Sequence, residues 1–277
     1  MTAFLNILLS FALMFSGIAS QAEYLIRPQK YHAQTLRAAD LPAPVTEPSA
    51  DAYIQLPQVK MHYLVYGSKK PPLILVHGNG GNADSLREAA SYLADSFTVY
   101  LPESRCHGDS SDPGEISYHL MAQDLNAFIA ALGLKKPVLM GHSDGGIDVI
   151  TLASEFPETP GAIISCGANS HPKTFKPYFP LGVALKNLFK KDKRNDLMLT
   201  LPDFTPEFLS RITCPAFIVS GQFDILWPSD TLFIAENIPD SDFAVLKGET
   251  HSSYVSQNGK KAWTLAHGWL AEKGLLG

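Results

Sequence analysis

The sequence predicts an α/β domain, a mostly parallel sheet of eight strands flanked by helices. Two observations carry this. Short apolar runs (Leu73 to Val76, Phe97 to Leu101, Val138 to Met140, Gly161 to Cys166, Ala216 to Ser220, Phe243 to Leu246) alternate with stretches of helical spacing. Polar, glycine-rich segments follow those runs, at the end of a parallel sheet where ligands bind.

Taken in order, the first 22 residues hold no charged side chain. Ile7 to Phe15 is apolar, and Ser20-Gln21-Ala22 has the small residues of a signal-peptidase site. Residues 1–22 are expected to be a signal peptide cleaved after Ala22, exporting the chain. The alternative is an uncleaved membrane anchor over Ala3 to Ala19. Residues 23–50, with Pro42, Pro44 and Pro48, read as an extended surface segment. Residues 51–277 then form one domain.

Within it, Tyr53 to Leu56 and Met61 to Tyr66 read as two strands ending at Gly67. Leu73 to Val76 is apolar throughout, the type of strand buried on both faces of a sheet. A helix through Leu86, Ala89, Ala90 and Leu93 leads to the strand Phe97 to Leu101. The next helix carries Leu125, Phe128, Ile129 and Leu132 on one stripe. The strands Gly161 to Cys166, Ala216 to Ser220 and Phe243 to Leu246 follow, and a helix over Trp263 to Leu270 closes the chain.

The organising stretch is Pro137 to Ala153. A β-branched run enters Gly141-His142-Ser143-Asp144-Gly145-Gly146, and an apolar run of helical spacing leaves it. A strand–turn–helix of this tightness forces Ser143 into a strained backbone and demands glycine neighbours. It leaves the hydroxyl exposed at a helix N-terminus, where developing negative charge is favoured.

The segments VHGNGG, PESRCHGDS, GHSDGG, SGQFD and GETHS, in that order, resemble the α/β-hydrolase superfamily from Tyr53 to Gly277. The resemblance implies Ser143 as nucleophile, Asp224 as the acid and His251 as the base, and backbone N–H groups of Asn79 and Asp144 as the oxyanion hole. Taken singly, His251 reads as a surface histidine and Asp224 as a turn acid; the ordered set, each after a strand, favours the triad. Asp148 and Asp203 follow no core strand. His77 is expected to order its loop. Where the superfamily has an aspartate and a glycine, the PESRCHGDS turn has Glu103 and Cys106. The stretch GHSDGGI with the later GAN resembles the biphenyl-hydrolase-like and valacyclovir-hydrolase-like branch, which implies Asp144 as a partner for a substrate ammonium. Its other reading is a favourable first-turn acid.

The variable lid of this superfamily is confined here to about 171–205, which implies small or medium acyl groups. Leu181, Leu185, Leu188 and Phe189 share one helical face, expected to pack on the core with the nearby lysines in water; contact with a membrane surface is the alternative. The implied function is hydrolysis of carboxylic esters through an acyl-enzyme. A small-amide, peptide or C–C bond hydrolase on the same triad, or a non-catalytic binding protein of the same fold, remains as an alternative.

The net charge of −5 argues against nucleic acid as a partner. A small-molecule ester is the expected partner, and the sequence gives no oligomeric state. No cofactor and no metal are expected, since the nine histidines lie apart from other ligands at metal-binding spacing. The three cysteines, Cys106, Cys166 and Cys214, are expected as free thiols, because in the strand order that the resemblance implies the strands before the first two are separated by two others.

Overall fold

The computed structural model describes residues 22–23, 33–37 and 40–276. Its sheet has nine strands: β1 (Ala33–Gln34), β2 (Ala50–Gln55), β3 (Lys60–Tyr66), β4 (Pro72–Val76), β5 (Thr98–Pro102), β6 (Val138–His142), β7 (Ala162–Cys166), β8 (Ala216–Phe223) and β9 (Ser241–Thr250). Their order is β1-β9-β8-β7-β6-β4-β5-β3-β2. Only the β2–β3 and β3–β5 pairings are antiparallel.

Eight of these strands are those expected. The ninth, β1, pairs in parallel with Val245 and Leu246 and lies in the segment read as a plain extended linker. Both its residues are exposed, so it carries no apolar alternation for a sequence pattern to register.

The central strands are apolar throughout because both faces are covered. Leu73 and Leu75 of β4 enter one core cluster with Leu93, Tyr254, Trp263 and Trp269. Ile74 and Val76 enter the other with Phe128, Ile147 and Ile150. The first face is covered by α1 (Arg87–Leu93) and α8 (Gly259–Glu272), the second by α2 (Tyr118–Ala131) and α3 (Asp144–Glu155). Burying a Leu or Ile fully is worth about 2 kcal/mol each, so both layers hold the sheet strongly.

Between β7 and β8 lie a turn at Pro172–Thr174 and the helices α4 (Tyr178–Phe189), α5 (Lys193–Thr200) and α6 (Pro206–Leu209). The helix α7 (Pro228–Glu236) follows β8. The expectation that the apolar face of α4 packs on the core is corrected here: Leu181, Leu185, Leu188 and Phe189 all face outward, and Val183 is the residue of α4 that is buried. Helical spacing fixes which side chains share a face; it does not fix which face meets the protein.

All three cysteines are free. β4 and β6 stand between the strand before Cys106 and the strand ending at Cys166. Cys106, standing where the resemblance has glycine, takes a left-handed backbone, with φ 64°.

No helix of the described residues is long and apolar enough to cross a membrane. The expected leader lies almost wholly outside the described residues.

Candidate active site

Parallel strands β6, β8 and β9 each deliver one residue to the same end of the sheet. β6 runs into α3 through Ser143, whose φ of 56° and ψ of −119° hold it in the strained turn the sequence anticipates. Its neighbour Gly145 permits the turn: a Cβ there would come within 2.3 Å of Val76 O. Ser143 N–H donates to Cys166 O at 2.8 Å, and Ser143 O accepts from Gly146 and Ile147, so the strained residue is fixed on both sides.

Ser143 Oγ lies 3.0 Å from His251 Nε2, and His251 Nδ1 lies 2.7 Å from Asp224 Oδ1. The structure thus joins the three residues into one hydrogen-bonded chain. Asp224 is buried; its carboxylate also accepts from the backbone N–H groups of Gly221 and Leu226, at 3.2 and 3.3 Å. Burial pushes Asp224 upward, but the charge of His251 and these bonds outweigh it and leave the acid below its ordinary range. For His251, burial works downward, and the Asp224 carboxylate overrides it and raises the imidazole above its ordinary value.

Around this chain stand residues that sequence reasoning did not single out. His142 Nε2 donates to His251 O at 2.9 Å, and its ring packs 5.0 Å from that of His251. Burial pushes His142 down to about 4, so it is a neutral prop. Gly167 has φ 71°, and a Cβ on it would approach His251 Cε1 to 2.9 Å. Lys176, 1% exposed, donates from Nζ to Asp224 O at 2.6 Å, and burial pushes it down to about 8. Their signal lay only in adjacency to the motifs: His142 beside Ser143, and Gly167 as the glycine after β7.

The loop after β4 carries Asn79. Among the described residues, neither the Asn79 nor the Asp144 backbone N–H has an acceptor, and both belong to segments bordering Ser143. The Asn79 side chain, by contrast, is committed: Nδ2 donates to Asp144 Oδ2 and to Arg194 O, each at 2.9 Å. His77 orders this loop. It accepts the Ser104 N–H at Nε2, at 3.1 Å, which leaves Nδ1–H to donate to Gly78 O at 2.8 Å.

An ammonium partner would need Asp144 open. The structure instead leaves it 3% exposed, under Asn79 and facing the buried Tyr118 hydroxyl. Burial pushes its carboxyl up to about 6 against the hydrogen bond from Asn79.

Among the described residues, His62, Glu103 and Asp109 form the group with metal-ligand spacing, their donor atoms within 4.8 Å of one another. Their atoms already serve the protein. His62 bridges Asp51 at 2.9 Å and Glu103 at 3.0 Å, and Glu103 accepts from the backbone of Ala83 and Asp109. The PESRCHGDS turn is likewise held from within, by the buried pair of Arg105 with Asp124 at 2.6 and 2.8 Å.

Comparison with known proteins places this geometry in context. The chain is 33% identical over 139 residues to bifunctional epoxide hydrolase 2 of Sus scrofa, covering 48% of this chain and 25% of that protein. It is 37% identical over 99 residues to N-formylmaleamate deformylase of Pseudomonas putida, covering 35% of this chain and 37% of that one. The aligned stretches span between 25% and 40% of the length of the first relatives it matches. An esterase from Thermogutta terrifontis shares the fold, with a TM-score of 0.65 and 22% identity over 81% of this chain and 99% of that one. The family described as alpha/beta hydrolase fold matches residues 71–211. A strained elbow between β6 and α3 and a mostly parallel sheet agree with that match, and the chain belongs to the α/β-hydrolase family.

Proposed function

We propose that the protein is a serine hydrolase of small or medium carboxylic esters, acting through an acyl-enzyme on Ser143, Asp224 and His251. The observation that carries this reading is the 3.0 and 2.7 Å hydrogen-bonded chain ending on a serine held at positive φ. Ser143 Oγ attacks the ester carbonyl while His251 Nε2 takes its proton. Asp224 stabilises the imidazolium and holds the tautomer that leaves Nε2 free to accept. The backbone N–H groups of Asn79 and Asp144 receive the oxyanion, each worth about 3 kcal/mol of barrier if aligned. Collapse expels the alcohol, protonated by His251, and water then repeats the sequence on the acyl-serine. The named relatives act on different bonds, so the ester preference rests on the bare serine site and the short lid segment. We assign Asp144 a positioning role, since its carboxylate is covered.

The test is labelling with a fluorophosphonate probe followed by a panel of chromogenic esters. Wild type should label at Ser143 and turn over esters of short acyl chains, and Ser143→Ala should do neither. Equal labelling of the Ser143→Ala protein would remove the reading.

We also propose export with cleavage after Ala22, supported by the uncharged, apolar start of the chain. N-terminal sequencing of the mature protein beginning at Glu23 is the expected result; a retained Met1 would favour the membrane-anchored alternative.

A further inference from the structure

We propose that the outward face of α4 is a docking surface for an anionic phospholipid bilayer. Leu181, Leu185, Leu188 and Phe189 are 61%, 46%, 79% and 84% exposed, and their spacing lines them up along one side of the helix. Single exposed leucines are ordinary; a continuous stripe of four large apolar side chains marks an interface.

Charge identifies the occupant. Between His171 and Asn195 the chain has seven lysines and arginines against one acid, Asp192, in a protein of net charge −5. Lys176 is buried, and Lys193 and Arg194 are paired with Asp112 and Asp192. Lys173, Lys186, Lys190 and Lys191 remain exposed. Lys186 sits beside the stripe, and Lys190 and Lys191 follow its end. An apolar stripe bordered by lysines is the pattern of a helix lying in the plane of a bilayer interface, with the leucines among the acyl chains and the ammonium groups at the phosphates. A second copy of the chain fits poorly, since it would bring two lysine clusters together. The acidic remainder of the protein is repelled by the same surface, so this face alone is turned toward it.

The experiment is co-sedimentation of the full chain with phosphatidylglycerol vesicles and with pure phosphatidylcholine vesicles. The apolar first residues are common to every variant, so the ratio of partition coefficients between variants reports α4. Wild type should prefer the anionic vesicles and lose that preference in high salt. Lys186→Glu/Lys190→Glu/Lys191→Glu should weaken partition into them by about a hundredfold or more, given roughly fivefold per lysine at such a surface, and leave phosphatidylcholine binding unchanged. Leu188→Asp/Phe189→Asp should weaken it comparably. Circular dichroism and turnover of a water-soluble ester should match wild type in both variants, which separates failure of this inference from failure of the catalytic reading. Equal partition of wild type and either variant, or of wild type into the two vesicle types, would overturn the proposal. So would a wild-type dimer that Leu188→Asp/Phe189→Asp dissolves, which would give the face to a second copy.

Discussion

Asn79 Nδ2 donates to Asp144 Oδ2 at 2.9 Å, so the two residues whose backbone amides we propose for the oxyanion hole are tied to each other through their side chains. The same Nδ2 reaches Arg194 O, which adds α5 to the tie. If the link serves to aim two amides, its loss falls on the transition state. Asp144→Ala, which leaves Asn79 Nδ2 without this acceptor, should therefore lower kcat by about ten- to a hundredfold with little change in KM. The loss should be equal for α-amino esters and neutral esters of the same size. A selective loss on amino esters would return Asp144 to ammonium recognition.

In the proposed mechanism the pH profile reports His251. The base must be neutral to accept the Ser143 proton, and Asp224 raises its pKa, so kcat/KM should climb with pH through a limb above the ordinary histidine value. Asp224→Asn removes the carboxylate that opposes burial most strongly and leaves only the Asp144 charge against it. The limb should then move to lower pH, while the plateau drops by about 10⁴. A limb that stays in place would show that it belongs to another group.

Gly167→Ala tests how the histidine is seated. The new Cβ would press on the His251 ring at 2.9 Å, at a φ of 71° that alanine tolerates poorly. Activity should fall by about a hundredfold, and probe labelling should slow in proportion. The thermal midpoint should drop by only a few degrees, since the strain is local. Retained activity would mean that the ring has room to shift without cost.

Cys106→Gly should stabilise the protein. A left-handed backbone at a non-glycine residue costs about 1–2 kcal/mol, and the thiol gains little in return from the Asp112 carboxylate, an exposed contact at 3.3 Å. A rise of a few degrees in thermal midpoint is expected, with esterase turnover unchanged. A fall would show that the sulfur contact outweighs the backbone strain.

The sheet was legible in the sequence because its central strands are buried on both faces, and a short unbroken apolar run such as Leu73 to Val76 suits little besides a covered strand. The elbow was legible because its glycines are dictated by backbone approach, as at Gly145 against Val76 O. What escaped were features set by three-dimensional neighbours. Nothing local in Lys176 announces the Asp224 carbonyl, and nothing in Asn79 announces a side-chain bond 65 residues away. The outward turn of α4 escaped for the same reason, since an amphipathic pattern has no sign.

The short strand β1 has a mechanical consequence. It pairs at one margin of the sheet and β2 at the other, and residues 35–49 bridge them, with Val45 N–H bound to Ser91 O on α1 along the way. Eight strand spacings of ~4.8 Å make a crossing of roughly 38 Å. Fifteen residues reach at most about 50 Å, enough to span it with a modest margin. The sheet is belted, and its two margins share one tether. A single peptide cut between 40 and 48 would leave every strand pairing intact and still uncouple them, so that fraying which begins at β1 would no longer pull on β2.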